Sequence, residues 1–225
     1  MFSYAPRRFP LAFRYLRMVL LCAGISAAQQ NLVPTVGFDF TFPGSEPEHY
    51  VISVASDCHA TYESNGKLTA QSAADDSFHL DFAVTQPGCG KIFDLTKRAH
   101  YFDGEIDSKK KNIASTGVKI LSYKDTQKST KATYNFSLNP DVQELTAMFQ
   151  AQATVLEFCR RLEFEHHYQK LALDEDLKLM ENSSERGSLQ QISAIVPVLQ
   201  KIIDDQSLMN VIRARARRLL VDAAK

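Results

Sequence analysis

The densest group of side chains able to do chemistry is Glu163-Phe164-Glu165-His166-His167. Residues three and four apart share one face of a helix, so Glu163 is spaced to reach one metal ion together with His166 or with His167. A dimetal carboxylate centre uses such a Glu-x-x-His motif twice with two further glutamates; this sequence offers the motif once. The plainer reading is a solvated helix face with one histidine turned toward a packed neighbour. Cys58-His59 and Cys89 supply the thiol and imidazole groups that zinc takes, but no second close pair accompanies them. Cys58 and Cys89 both fall in turn-like segments and form the candidate disulfide, whereas Cys159 falls within a helical pattern. The pairing stays open, because separate antiparallel strands at 67–71 and 78–84 would put the two turns at opposite ends of a sheet.

Other chemistries leave little trace. Gly-x-Ser-x-Gly, a glycine-rich phosphate loop and His-Glu-x-x-His are all absent. No cofactor is implied and no catalytic residue stands out; the serines and aspartates are accounted for as turn formers and caps. Arg213, Arg215, Arg217 and Arg218 make the last helix basic, which suits a helix C-terminus and partners such as Asp174, Glu175 and Asp176. Lys109-Lys110-Lys111 reads as an exposed loop. Asn135-Phe-Ser137 and Asn182-Ser-Ser184 match the glycosylation pattern, which acts only in a eukaryotic secretory pathway.

The N-terminus places these groups in a compartment. Arg7, Arg8, Arg14 and Arg17 occur without an acidic residue, then comes the apolar run Met18–Ile25, then Ser26-Ala27-Ala28. That order describes a cleavable export signal over residues 1–28, with cleavage between Ala28 and Gln29. The apolar run is well short of the ~20 residues a spanning helix needs, so no transmembrane anchor is expected after cleavage. Arg7-Arg8 also fits a twin-arginine signal, but Phe9-Pro10-Leu11 continues it poorly. Leu21 before Cys22 argues against lipidation. Removing four arginines from 26 basic residues leaves 22 against 26 acidic ones, a formal charge of −4. Such a surface gives no reason to expect nucleic acid or an anionic membrane as partner.

The elements that must position the candidate groups follow from periodicity. Residues 29–48 read as an extended lead-in, with Phe38-Asp-Phe40-Thr-Phe42 as one edge strand. Residues 49–138 carry a period-2 pattern: strands near 50–55, 59–63, 78–84, 116–124 and 130–137, a hairpin signal at Asn65-Gly66, and an amphipathic helix over 91–102. Residues 139–225 are helical. Asn139 is a good N-cap and Pro140 suits the first turn; apolar residues then recur from Val142 to Met180 without an intervening Gly or Pro, predicting one helix of about 40 residues, some 60 Å long. Its apolar stripe runs through Leu145, Phe149, Leu156, Leu162 and Leu173, leaving Glu165 on the wet face. A second helix begins at Leu189, kinked at Pro197, and a third follows Ser207 as N-cap.

The succession of Tyr50-Val-Ile-Ser-Val, Ala60-Thr-Tyr62, the strand at Phe78, the helix ending Ala99-His-Tyr-Phe102, Asp107 and Gly117-Val-Lys-Ile-Leu-Ser-Tyr123 is similar to a group of uncharacterised secreted bacterial domains. The likeness covers about residues 49–150 and is one of pattern. It implies no activity and no catalytic residue.

The expected protein is therefore α+β: a small antiparallel sheet with one covering helix, then a long helix and a C-terminal helical hairpin. It is expected outside the cytoplasm, periplasmic or secreted, as a non-enzymatic binding or interaction module. Its partner is unknown, or is a second copy meeting it through the helical segment. The alternative is a metal-binding protein or metal-dependent enzyme using Glu163, His166 and His167. Intact mass of the exported protein should show processing at Ala28–Gln29; a product retaining Arg14 and Arg17 would contradict the signal.

Overall fold

Alternating apolar and polar residues build one sheet. The computed structural model describes residues 1, 32–66, 68, 77–110, 112–186, 189 and 192–223. Apart from Met1, the export signal and its cleavage site at Ala28 and Gln29 lie outside the described residues. The described residues from Leu32 onward form one compact unit. Among the described residues there are six strands: β1 (Thr35–Thr41), β2 (His49–Ala55), β3 (His59–Asn65), β4 (Ser77–Ala83), β5 (Val118–Lys124) and β6 (Ser129–Tyr134). All neighbours are antiparallel, in the order β4-β3-β2-β1-β5-β6. The class is α+β, as the sequence predicts.

The chain winds from β1 to β4 along one half of the sheet. Helix α1 (Gln86–Arg98) then leads back, and β5 pairs with the remaining side of β1. Val36, Phe38 and Phe40, Ile52 and Val54, Tyr62 and Leu121 point to one face and are buried with Ile92 and Leu95 of α1. The period-2 alternation thus puts every second residue under the helices.

β1 corrects the expectation for residues 29–48. An edge strand has one unpaired side, but β1 is bonded to β2 on one flank and β5 on the other. The lead-in is therefore the middle of the sheet, which begins at Thr35 and not at 49. The Asn65-Gly66 hairpin also differs, since Asn65 pairs with Ser77; the strand considered at 67–71 lies, apart from Leu68, outside the described residues. Helix α1 ends at Arg98, earlier than expected, because His100, Tyr101 and Phe102 take left-handed φ values of 52°, 56° and 61°. Burial of Phe102 accompanies this unfavourable turn.

Because β3 and β4 pair with His59 opposite Ala83, the β2–β3 turn and the β4–α1 connection lie at the same end of the sheet. A disulfide joins Cys58 and Cys89 there, with Cα atoms 5.6 Å apart. It links positions 31 residues apart, for which the chain-entropy account gives a stabilisation of roughly 3–4 kcal/mol.

The helical segment consists of α2 (Pro140–Tyr168), α3 (Leu173–Glu185), α4 (Val196–Asp204) and α5 (Asn210–Ala223). Asn139 caps α2, its side chain accepting from the Asp141 amide at 2.9 Å, and Pro140 occupies the first turn. The single 40-residue rod does not form. The chain leaves helical geometry at Gln169 (φ −139°, ψ 55°) and turns, so that Leu173, Leu177 and Met180 are buried with Phe158 and Leu162. No Gly or Pro marks that break; the burial gained by folding back outweighs continued helix propensity. Pro197 does not kink a helix either, since it stands in the first turn of α4, where no amide donor is needed. Ser207 does not cap α5, which starts at Asn210; its hydroxyl donates instead to Asp205 at 2.6 Å.

α2 belongs to two cores. Val142, Leu145, Phe149 and Leu156 are buried under the sheet, whereas Val155, Phe158, Cys159 and Leu162 are buried among α3, α4 and α5. The stripe predicted from sequence is thus covered within the chain. Among the described residues no helix is long and apolar enough to cross a membrane. Leu156 is fully buried and Leu171, in the α2–α3 turn, is 82% exposed. Leu156→Ala should lower stability by about 2–5 kcal/mol in a urea titration, and Leu171→Ala should change it negligibly; equal effects would contradict the packing.

Candidate functional site

Glu163, His166 and His167 lie on the last turns of α2, and each meets a different partner. Glu163 Oε1 accepts from Lys201 Nζ of α4 at 3.2 Å. His166 Nε2 is 3.0 Å from Asp205 Oδ2. The His167 ring meets Tyr168 edge-on, with centroids 4.4 Å apart. Asp205 also accepts from Lys170 Nζ at 2.8 Å and from Ser207; these hydrogen bonds, Lys170 first, hold its carboxyl well below the usual carboxylate range. Glu163 and His166 therefore tie the end of α2 to α4 and to the α4–α5 connection, while His167 stays with its own helix. Among the described residues no group of three or more His, Cys, Asp or Glu side chains is placed to hold a metal ion. Cys58 and Cys89 are committed to their disulfide. Cys159 is buried, which pushes its thiol up to about 12 and keeps it protonated and unreactive.

Glu165 corrects the expectation of a wet face. It is half-buried beside Asp176 of α3, a buried carboxylate whose Oδ2 lies 2.9 Å from Arg161 Nε. Asp176 shares a face with Leu173, Leu177 and Met180, so the fold-back of α3 brings two acids together. Burial, and then the charge of Asp176, raise the Glu165 carboxyl from 4.5 to about 7.

A second polar group lies at the middle of α2. Glu157 Oε1 accepts from Tyr62 Oη at 2.5 Å and from Ser64 Oγ at 2.7 Å, both on β3. Arg160, 4% exposed, donates to the Gly66 carbonyl at 2.9 Å and lies over the Phe78 ring. Burial, then the neighbouring Glu157, raise the Tyr62 hydroxyl far above its ordinary value, so it serves as a hydrogen-bond donor and not as a base. This network fastens α2 to the β3–β4 half of the sheet.

The β5–β6 side of the sheet holds the arrangement best suited to binding. Lys119 is on β5, in phase with Leu121 and Tyr123, and is only 4% exposed. Its ammonium donates to Thr116 Oγ1 at 2.8 Å, to the carbonyls of Thr116 and Asn135 at 3.0 Å, and to the Gly117 carbonyl at 3.4 Å. It also stands 5.7 Å from the centre of the Phe40 ring. Every acceptor is neutral, and among the described residues no Asp or Glu forms an ion pair with it. Asp107, which serves the same corner, is taken by the amides of Asn135 and Phe136. Burial lowers the Lys119 pKa from its ordinary value. Gly117 is required beside it, with φ +92° and a Cβ position that would fall 2.7 Å from the Phe40 ring.

Lys119 faces a cavity of about 360 Å³ between the β5–β6 end of the sheet and the first turns of α2. The cavity opens past Thr116, Gln143 and Ala147, which are exposed, and reaches Tyr134 and Ser137, which are buried. Tyr134 Oη and Thr146 Oγ1 are 2.5 Å apart, and Thr146 donates onward to the Val142 carbonyl. The Ser137 hydroxyl accepts from the Asn139 amide at 3.2 Å. Sequence reasoning missed this corner. The available signal was a lysine falling on the apolar phase of a strand, two residues after a glycine.

No protein-family model matches the chain, and no curated protein matches it significantly.

The Glu165–Asp176 pair gives a pH dependence. The unfolded chain releases the Glu165 proton near 4.5 and the folded chain near 7. The folded state binds more protons between these values, so the stability this group contributes is complete below 4.5 and is lost as pH rises to about 7. Glu165→Gln, which mimics the protonated form, should match the parent at low pH and exceed its melting temperature above pH 7. A variant less stable than the parent at high pH would show that Glu165 works as a charged partner of Arg161.

Proposed function

We propose that the chain is an exported, non-enzymatic binding module whose site is the cavity beside Lys119. The observation that carries this reading is the contrast between two parts of the molecule. The side chains with the spacing for metal or acid–base chemistry are spent on structural partners, Glu163 on Lys201 and His166 on Asp205. Lys119 instead lines an open cavity, and among the described residues no carboxylate forms an ion pair with it. A concave site holding a few convergent polar groups is the usual form of a small-molecule pocket, and 360 Å³ falls within the usual size range. The arginine-bearing N-terminus with its short apolar run supports export. The Cys58–Cys89 disulfide suits an oxidising compartment.

Thermal shifts measured against a panel of amino acids, organic acids, sugars and nucleosides test the reading. At least one class should raise the melting temperature in proportion to the logarithm of its concentration and be recovered unchanged. Ala147→Phe, which places a ring at the exposed mouth of the cavity, should abolish the shift. Consumption of the ligand, or a shift that survives this substitution, would contradict it.

A further inference from the structure

We infer that the cavity selects small organic monocarboxylates, whose anionic group pairs with the Lys119 ammonium. The inference rests on the binding-module reading and specifies its ligand.

A buried ammonium loses most of its hydration, and neutral oxygens restore only part of it. The Thr116 and Asn135 carbonyls and the Thr116 hydroxyl surround the Lys119 nitrogen with partial charge but leave a full positive charge in place. These acceptors favour the charged form and work against the burial that lowers its pKa, and the ammonium they hold is suited to attracting an anion. Coulomb attraction strengthens where water is excluded, so an anion entering this cavity gains more than the same anion at an exposed lysine.

Geometry sets the size and charge of the ligand. One cation faces the cavity, which matches one negative charge; a phosphate or nucleotide would bring more charge than the site neutralises. The acceptor easiest to replace is the Thr116 hydroxyl. It belongs to an exposed residue and has Asn135 Oδ1 as another partner at 3.2 Å. A carboxylate oxygen taking its place meets a donor, and the second oxygen can accept from the hydroxyl of Ser137, which lines the same cavity and itself accepts from the Asn139 amide. Tyr134, Phe136 and Ala147 supply apolar surface for the rest of the ligand. A carboxylate attached to a small flat or branched hydrocarbon fits this combination of one charge, one hydroxyl donor and apolar walls.

Benzoate is the probe, with benzamide as its neutral counterpart and inorganic phosphate as a control for general anion attraction. The protein is the mature chain with its disulfide intact, labelled at lysine Cε and Nζ for NMR. Benzoate should shift the Lys119 resonance saturably and bind at least tenfold more tightly than benzamide, with phosphate leaving that resonance unmoved. Lys119→Met should abolish benzoate binding, and Lys97→Met, which changes an exposed lysine of α1, should not. Lys119 also fastens the β5–β6 corner, so if Lys119→Met does not fold, the resonance of the unsubstituted protein together with Ala147→Phe decides the matter.

Equal affinities for benzoate and benzamide, blocked by Ala147→Phe, would overturn the carboxylate inference and leave the binding-module reading standing. Absence of any Lys119 shift at high benzoate, or retention of benzoate binding in folded Lys119→Met, would also overturn it. Chemical conversion of a bound carboxylate would refute the non-enzymatic reading and leave the ligand class intact.

Discussion

The structure depends on a mismatch of lengths between α2 and the sheet. At 1.5 Å per residue, the 29 residues of α2 extend about 43 Å. Seven-residue strands span about 23 Å, and six strands about 24 Å across. The sheet can cover only half of such a helix, so the apolar residues beyond it need other partners. α3, α4 and α5 supply them, burying Phe158, Cys159 and Leu162. The fold-back at Gln169 follows from the same constraint, because a continued rod would have exposed Leu173, Leu177 and Met180. Glu157 and Arg160 stand near where the two cores meet and fix the helix to β3 and Gly66 with charged hydrogen bonds.

The position of the cavity is tied to this arrangement. The first turns of α2 start at the capped Asn139, just after β6, and form one wall. The other wall is the end of β5 and β6, where Gly117 lets the chain approach Phe40 closely enough to bring Lys119 under the sheet. A lysine on the buried phase of a strand is unfavourable in a sheet whose other inward positions are mainly apolar. It is tolerated here because three backbone carbonyls and a hydroxyl converge on it. The polar corner is thus open to solvent on one side and held by the end of the sheet on the other.

Local pattern disclosed most of the elements and few of their relations. The alternation at Phe38-Asp-Phe40, Tyr50-Val-Ile52 and Phe78-His-Leu80 marks strands because period 2 is a local property. That β1 is central was hidden, since strand order depends on the pairing with β5 some eighty residues later. Asn139 and Pro140 announced the start of α2, but its end carries no Gly or Pro and is set by burial of residues beyond the break. The Glu163–His167 cluster was conspicuous by spacing, yet spacing along one helix cannot show that α4 and the loop after it supply Lys201 and Asp205. Lys119 and Ser64 are polar residues on the inward phase, and periodicity alone does not show that the turn at Thr116 and Gly117 and the Asn135 carbonyl receive the first, or that Glu157 of α2 receives the second.

Native-state hydrogen exchange along α2 tests most directly the claim that one helix unites the two cores. If α2 is their common spine, amides near Phe149 and near Phe158 should exchange with the same free energy, equal to that of global unfolding and shared by Ile52 in the sheet and Leu177 in the bundle. Exchange of Phe158 and Leu177 through a lower-energy opening that leaves Phe149 and Ile52 protected would contradict the account, because the helical segment would then be a separate unit and α2 would not hold the cavity in place.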